Sequence, residues 1–247
     1  MQYTRKLDAQ LREIRTLTLD GTDADGLIAC SLNTVCLDEA QYTALSYVWG
    51  DASKTTPILV DGQTFQATVN LELALRNLSE DYAGKPVWAD AICINQDDVQ
   101  EKNQQVSLMD ELYRRAVGVV VWLGESDPAV DMLVEVLAEH AECSIVDGDL
   151  TAMPKSEAML MAIAQRPWWK RVWVIQEALM ARHDPVLRCG RHAFGWSSFF
   201  AFLLAYSKKG EQLGLTQNEE TPEVTQLRQI LAVDDTFMPP YVMIPSK

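Results

Sequence analysis

The residues best suited to chemistry lie in three short stretches. One of them, RPWWKRVWVIQEALM at 166–180, gathers three tryptophans, three cationic residues and one glutamate. After Pro167 its pattern predicts a helix that is apolar on nearly every side, and such helices are buried. A carboxylate inside one must be paired, or its pKa rises. On a helical wheel Trp169, Val172, Trp173, Gln176 and Met180 share one side, with Lys170 and Glu177 at its margin. Neither Lys170 nor Arg171 has the i,i+4 spacing of a helical ion pair, whereas Trp173 lies one turn before Glu177. Two readings stay open: a structural ion pair, or a carboxylate beside an indole in a semi-apolar catalytic environment.

The other two stretches follow β-prone runs. In YTALSYVWGD (42–51) the candidates are Ser46, Trp49, Gly50 and Asp51. In VWADAICINQDD (87–98) they are Asp90 and Asn95, with Gln96, Asp97 and Asp98 behind them. The bland reading makes Asp97 or Asp98 a helix cap and lets the amides satisfy loop backbone groups. The functional reading places Asp90 and the amides around a pocket. Cys93 has no base nearby and reads as a buried, inert thiol. His140, His183 and His192 sit in polar or helix-end contexts and read as surface residues. Phosphate-binding glycine loops, a GxSxG elbow and HExxH are all absent from the sequence, and no set of residues has metal-ligand spacing.

The elements that must hold these residues follow from periodicity. REIRTLTL and LIACSLNTVCL predict two strands joined by the turn-rich DGTDADG. YTALSYVW is a continuous β-prone run expected to be a buried strand. PILVDGQTFQA predicts a hairpin turning at Asp61-Gly62. Asn70 is placed to cap a short helix, LELALRNL. KPVWAD reads as a short strand, and Asp98 with Glu101 has capping-box spacing for one long helix over about 98–116. GVVVWLG is a further strand, followed by a helix over about 128–142. Two helices separated at Pro167 are expected over 155–181, then a strand at PVLRCG and a helix at WSSFFAFLLAY. Strands alternating with helices predict an α/β domain with a mainly parallel sheet, decorated by the N-terminal strands and the hairpin. The loops WGDASK and DAICINQ would then lie at the carboxyl ends of strands, where such sheets bind ligands. Residues 1–207 are read as this domain and 208–247 as a poorly specified tail or the start of a following region.

Composition narrows the function classes. The chain has 247 residues, 48% of them hydrophobic, which is ample for a sizeable core. Its 21 basic and 35 acidic residues give a net charge of −14, which disfavours nucleic acid or an anionic membrane as partner. The five scattered cysteines fit neither a disulfide scaffold nor a structural zinc site. No apolar run approaches the roughly 18–20 residues of a membrane span, and the N-terminus lacks the pattern of a signal peptide. A reduced, cytoplasmic protein is expected.

In order along the chain, YTALSYVWGD (42–51), VWADAICINQDDVQEKNQQVSLMDELYRRAVGVVVWLG (87–124) and RPWWKRVWVIQEALM (166–180) resemble the fungal heterokaryon-incompatibility (HET) domain. The resemblance covers about residues 10–200. It implies a cytosolic fungal protein of nonself recognition, a form of innate immunity, whose activation leads to programmed cell death. The HET domain is in turn similar to the TIR domain, a flavodoxin-like α/β module. Many TIR domains cleave NAD with one helical glutamate that closes a W-x-x-x-E pattern, and Trp173-Val-Ile-Gln-Glu177 has that spacing. By this resemblance the ALSYVWG strand corresponds to the first TIR strand, whose trailing loop lines the nucleotide pocket.

The implied activity is NAD glycohydrolase, with NAD as substrate and no cofactor or metal. Glu177 would be the catalytic carboxylate. Ser46, Trp49, Gly50, Asp51, Asp90, Asn95 and Trp173 would surround the nucleotide. Breaking the nicotinamide–ribose bond develops an oxocarbenium ion, which a nearby carboxylate stabilises or attacks. Trp49 or Trp173 could stack on the cationic ring, and Arg171 could meet the pyrophosphate. Activity is expected of a homo-oligomer. The alternative is a non-enzymatic assembly module that triggers death by recruiting partners.

Overall fold

Runs of β-branched and aliphatic residues build one nine-stranded sheet among the described residues, which in this computed structural model are 3–139, 156–171, 177–178 and 180–203. The strands are β1 (Glu13–Thr22), β2 (Ile28–Cys36), β3 (Thr43–Ser46), β4 (Thr55–Val60), β5 (Gln63–Thr68), β6 (Pro86–Trp88), β7 (Gly118–Trp122), β8 (Val186–Cys189) and β9 (His192–Gly195). Their spatial order is β5-β4-β2-β1-β6-β3-β7-β8-β9. At the centre β6, β3, β7 and β8 run parallel to one another. Ala44, Leu45 and Ser46, like Val119 to Trp122, are buried without alternation, as parallel strands covered on both faces must be. The margins are mostly antiparallel, with β1 against both β2 and β6, β4 against β5, and β8 against β9. The expected α/β class with N-terminal strands and a hairpin is therefore present.

The central order places the first parallel strand, β3, between the second and the third. The chain leaves β3 first toward β6 and then crosses back to β7, so β3 and β7 flank a topological switch point. The carboxyl ends of the strands beside such a point are the usual ligand position in doubly wound sheets. The crossovers carry helices α1 (Val69–Leu78), α2 (Asp90–Cys93), α3 (Val99–Ser107), α4 (Met109–Arg115), α5 (Pro128–Glu139) and α6 (Ser156–Ala164). Residues 196–203 are also helical. None of the described helices is long and apolar enough to cross a membrane.

Local chemistry accounts for most boundaries. Asp61 (φ 50°) and Gly62 (φ 72°) both adopt left-handed backbone between the paired Val60 and Gln63, the two-residue turn that matches strand twist. Asp98 caps α3, its Oδ1 accepting from the backbone N–H of Gln100 at 3.0 Å and of Glu101 at 3.2 Å. Glu101 does not fold back to complete a capping box. It turns inward to a bidentate pair with buried Arg15 at 2.5 and 3.1 Å and accepts the Asn95 N–H at 2.8 Å.

Four expectations are corrected. Asn70 does not cap α1; Thr68 does, and Asn70 lies inside the first turn with its side chain turned to the sheet. The single helix over 98–116 is two helices broken at Leu108, where the Ser107 hydroxyl donates to the Gln104 carbonyl at 2.7 Å and competes with the helical ladder. AICINQ is not all loop, because α2 forms within it. The helix expected after Pro167 is not continuous: it opens with a 3-10 turn, Pro167–Lys170, broken at an extended Arg171, while Glu177 and Ala178 are helical. Trp168 and Trp169 are both buried there, stacked edge-on at 4.9 Å and packed against Trp196 at 6.2 and 5.5 Å. Burying two adjacent indoles takes precedence over a regular α-helical first turn, which would splay them apart. Residues 172–176 and the tail at 208–247 lie outside the described residues.

Candidate active site

Ser46 is the last residue of β3 and is 1% exposed. Its hydroxyl accepts the Trp168 indole N–H at 2.8 Å and donates a short hydrogen bond to Glu177 Oε2. The extended backbone at Arg171 folds the guanidinium back onto the same carboxylate. Nη1 reaches Oε2 at 2.9 Å and Nη2 reaches Oε1 at 2.8 Å. Such a fork is the strong, directional form of an arginine–carboxylate pair. The wheel reading found no partner for Glu177 because it assumed one unbroken helix. The break at Arg171 supplies one six residues away.

Glu177 is 2% exposed, whereas the Arg171 side chain keeps 25% of its surface. The pair is thus buried at the carboxylate and wet at the guanidinium. Burial opposes the Arg171 charge, and the Glu177 carboxylate more than offsets it, raising the guanidinium pKa. Among the described residues Oε2 accepts from Ser46 and Arg171, while Oε1 accepts from Arg171 alone and so keeps a spare lone pair.

Glu177 and Arg171 line a cleft of about 320 Å³ together with Asp90, Val106, Met109, Asp110 and Tyr113. Asp90 opens α2 just past the carboxyl end of β6. Its Oδ1 accepts the Ala91 N–H at 2.7 Å and its Oδ2 accepts the Trp49 indole N–H at 2.8 Å. Burial pushes the Asp90 pKa up despite these bonds, and the charge of Glu177 adds to the rise. The Tyr47 and Tyr113 hydroxyls are pushed well up by burial too, and the neighbouring carboxylates contribute. Three carboxylates against one guanidinium leave the cleft anionic, with an apolar wall of Val106, Met109 and Tyr113.

Of the residues expected at the site, Glu177 and Asp90 share this cleft. Ser46 stands behind Glu177 rather than on the surface, so it orients the carboxylate. Trp49 and Asn95 line an adjacent cleft, joined to the first by the Trp49–Asp90 hydrogen bond. Gly50 (φ 77°) makes the turn that presents Trp49. Asp51 lines neither cleft; its side chain is exposed and accepts from the Ser53 hydroxyl and N–H at 2.7 and 3.0 Å, which hold its pKa low. Trp173 lies outside the described residues. Cys93 is fully buried, which pushes its thiol up to about 12, a poor nucleophile. Among the described residues no cluster of His, Cys, Asp or Glu could hold a metal ion.

Four contributors carried no recognisable signal in the sequence. Trp168 anchors Ser46, Tyr113 walls the cleft, and Asp110 sits at its rim. Asn70 ties the loop to the sheet, donating to the Val48 carbonyl at 2.6 Å and accepting the Trp122 indole N–H at 2.9 Å. Only the helical spacing of Met109, Leu112 and Tyr113 hinted at a shared face, and it pointed to core.

Comparison with known proteins agrees with the extent of this assembly. A family model described as heterokaryon incompatibility protein (HET) matches residues 42–177, a span that opens just before β3 and closes on Glu177. The chain is also similar to heterokaryon incompatibility protein 6, OR allele, of Neurospora crassa, with 33% identity over 212 residues. That alignment covers 67% of this chain and 31% of the Neurospora protein, so the chain spans about a third of its relative's length. No solved structure matches the chain.

Proposed function

This chain belongs to the fungal heterokaryon-incompatibility (HET) family, and from that premise we propose that it is a cell-death effector domain that cleaves NAD at the Glu177 cleft when self-assembled. The observation that carries this reading is the cleft itself. It sets two carboxylates, one buried beneath a bidentate arginine, on an anionic, apolar-walled surface beside the carboxyl ends of β3 and β6. The positively charged nicotinamide ring of NAD matches that lining in charge and shape, with Tyr113 and Met109 as its apolar wall.

In the proposed reaction the C1′–N bond breaks heterolytically. The electron pair stays on the nicotinamide nitrogen and neutralises the ring, so no general acid is needed. The oxocarbenium ion left on the ribose faces Glu177 Oε1, the oxygen with the spare lone pair. Ser46 and Arg171 hold Oε2 and fix the carboxylate plane, a preorganised arrangement that needs no rearrangement at the moment of charge development. Water then adds to C1′ and releases a proton, for which Asp90, its pKa raised by burial, is the nearby acceptor. The products are nicotinamide and ADP-ribose.

The test is nicotinamide release from NAD by concentrated, artificially clustered full chain, followed by chromatography. Wild type should turn over, and Glu177→Gln should lose at least about 100-fold while keeping its circular dichroism spectrum. Undiminished turnover in that variant refutes the assignment. A second reading has its own support, because Arg171 satisfies Glu177 as fully as a structural ion pair would. On that reading the domain recruits partners without catalysis, clustered wild type releases no nicotinamide, and its toxicity survives Glu177→Gln.

A further inference from the structure

On the far side of the Trp49–Asp90 hydrogen bond lies a second cleft, of about 300 Å³, that no step of the proposed reaction uses. Trp49, Phe65, Asn95 and Gln96 are among the residues that line it. Three features specify its occupant.

The first is charge. Among the described residues Asp97 is the one charged side chain in its lining and no cation lines it, so a phosphate would find no partner there. The second is a fixed aromatic face. Trp49 is 38% exposed, yet its indole nitrogen is pinned to Asp90, so the ring offers an open surface at little cost in ordering. Half-buried Phe65 lies in the same wall. The third is an unsatisfied acceptor. Gln96 Nε2 donates to the Asp90 carbonyl at 3.0 Å, which fixes the amide orientation, since the reverse would oppose two oxygens. Gln96 Oε1 is then buried with no hydrogen-bond partner among the described residues. Gln96 lines the cleft, so a small turn of its side chain would expose this oxygen, and the unmet acceptor favours that turn toward a ligand that brings an N–H.

We infer that this cleft is a subsite for an uncharged, planar, amino-bearing heterocycle: the adenine-type base at the distal end of a dinucleotide. The cleft volume suits one nucleoside. Trp49 lines this cleft and its hydrogen-bond partner Asp90 lines the Glu177 cleft, so the two are neighbours, as the base and the cationic ring of one dinucleotide would require. The dinucleotide part of the inference rests on the NAD-cleaving reading; the base-binding part does not. Trp49, expected to meet the nicotinamide ring, is assigned instead to the opposite base.

Adenosine, which carries neither phosphate nor a scissile pyridinium bond, is the probe. Titrated into the full chain by NMR, it should shift the Trp49 indole N–H, assigned by Trp49→Phe, and the Gln96 side-chain amide, saturably. Purine riboside, whose base lacks the exocyclic amine and any other N–H, should bind at least about 5-fold more weakly, and Phe65→Ala should weaken adenosine about 10-fold. Absence of a saturable adenosine shift at Trp49, or equal affinity for purine riboside, overturns the subsite; the purine riboside comparison needs wild type alone, so it holds even if Phe65→Ala misfolds. Adenosine binding without NAD turnover in the clustered protein would sink the catalytic reading and keep the subsite. NAD turnover without the adenosine shift would do the reverse.

Discussion

Replacing Arg171 by methionine would strip the Glu177 carboxylate, 2% exposed, of its only cationic partner among the described residues and leave it the Ser46 hydroxyl. Removing one member of a buried ion pair costs about 3–5 kcal/mol, because a charge stays behind without compensation. Two facts lower that figure. Arg171 keeps a quarter of its side-chain surface, so water can enter where the guanidinium stood, and Ser46 continues to donate. A loss of roughly 2–3 kcal/mol follows. In a chain of this size that is a fall of roughly 4–12 °C in Tm.

The reverse change is milder. Glu177→Gln leaves a guanidinium that can turn to solvent, and the amide oxygen still accepts one donor, so roughly 1–2 kcal/mol is expected. In the double variant no charge remains buried, and its loss should resemble that of Glu177→Gln alone. The cycle should therefore show a coupling of about 2 kcal/mol. Urea unfolding of all four proteins at pH 7 and fixed salt measures it. Arg171→Met within about 0.5 kcal/mol of wild type, or strictly additive single variants, would refute a buried, uncompensated carboxylate.

Two further perturbations probe the surroundings. Burial raises the Asp90 pKa above its unfolded value, so between the two values the unfolded chain has released a proton that the folded chain keeps, and stability falls as pH rises. Asp90→Asn removes that fall, so its stability relative to wild type should increase from pH 3.5 to pH 7 in thermal melts; a difference that is flat or decreasing over that range contradicts the burial argument. Asn70→Leu deletes the bonds to the Val48 carbonyl and the buried Trp122 indole, and should cost roughly 2–3 kcal/mol in urea unfolding. A loss below about 0.5 kcal/mol would mean that these groups find other partners.

Several features were legible because their causes are local. The Asp61-Gly62 turn, the Asp98 cap and the buried parallel strands each depend on a few neighbouring residues, and each is present where the pattern placed it. The alternation of strands and helices led to the α/β class for the same reason, and the three family stretches are contiguous in sequence. The misreadings have causes that periodicity does not contain. Thr68 caps α1 because Asn70 is drawn to Val48 and Trp122, partners far along the chain. The helix expected after Pro167 is broken at Arg171 and begins with a 3-10 turn because two indoles find a pocket formed by Trp196 and Phe199, residues that follow it.

For the site, residue types alone identified Glu177 as anomalous, since a glutamate among tryptophans needs either a partner or a purpose. They could not say which, because the answer depends on where Arg171 points once the chain stops being helical. Only the tertiary structure brings Ser46, Arg171 and Glu177 together from positions 125 and 6 residues apart, and sets Asp90 beside them on one cleft. Burial and charge pairing are properties of the packed chain, acting across the crevice between strands that are distant in sequence. Propensity and spacing determine which groups are available; the strand order decides which of them meet, and which stay on the surface as Asp51 does.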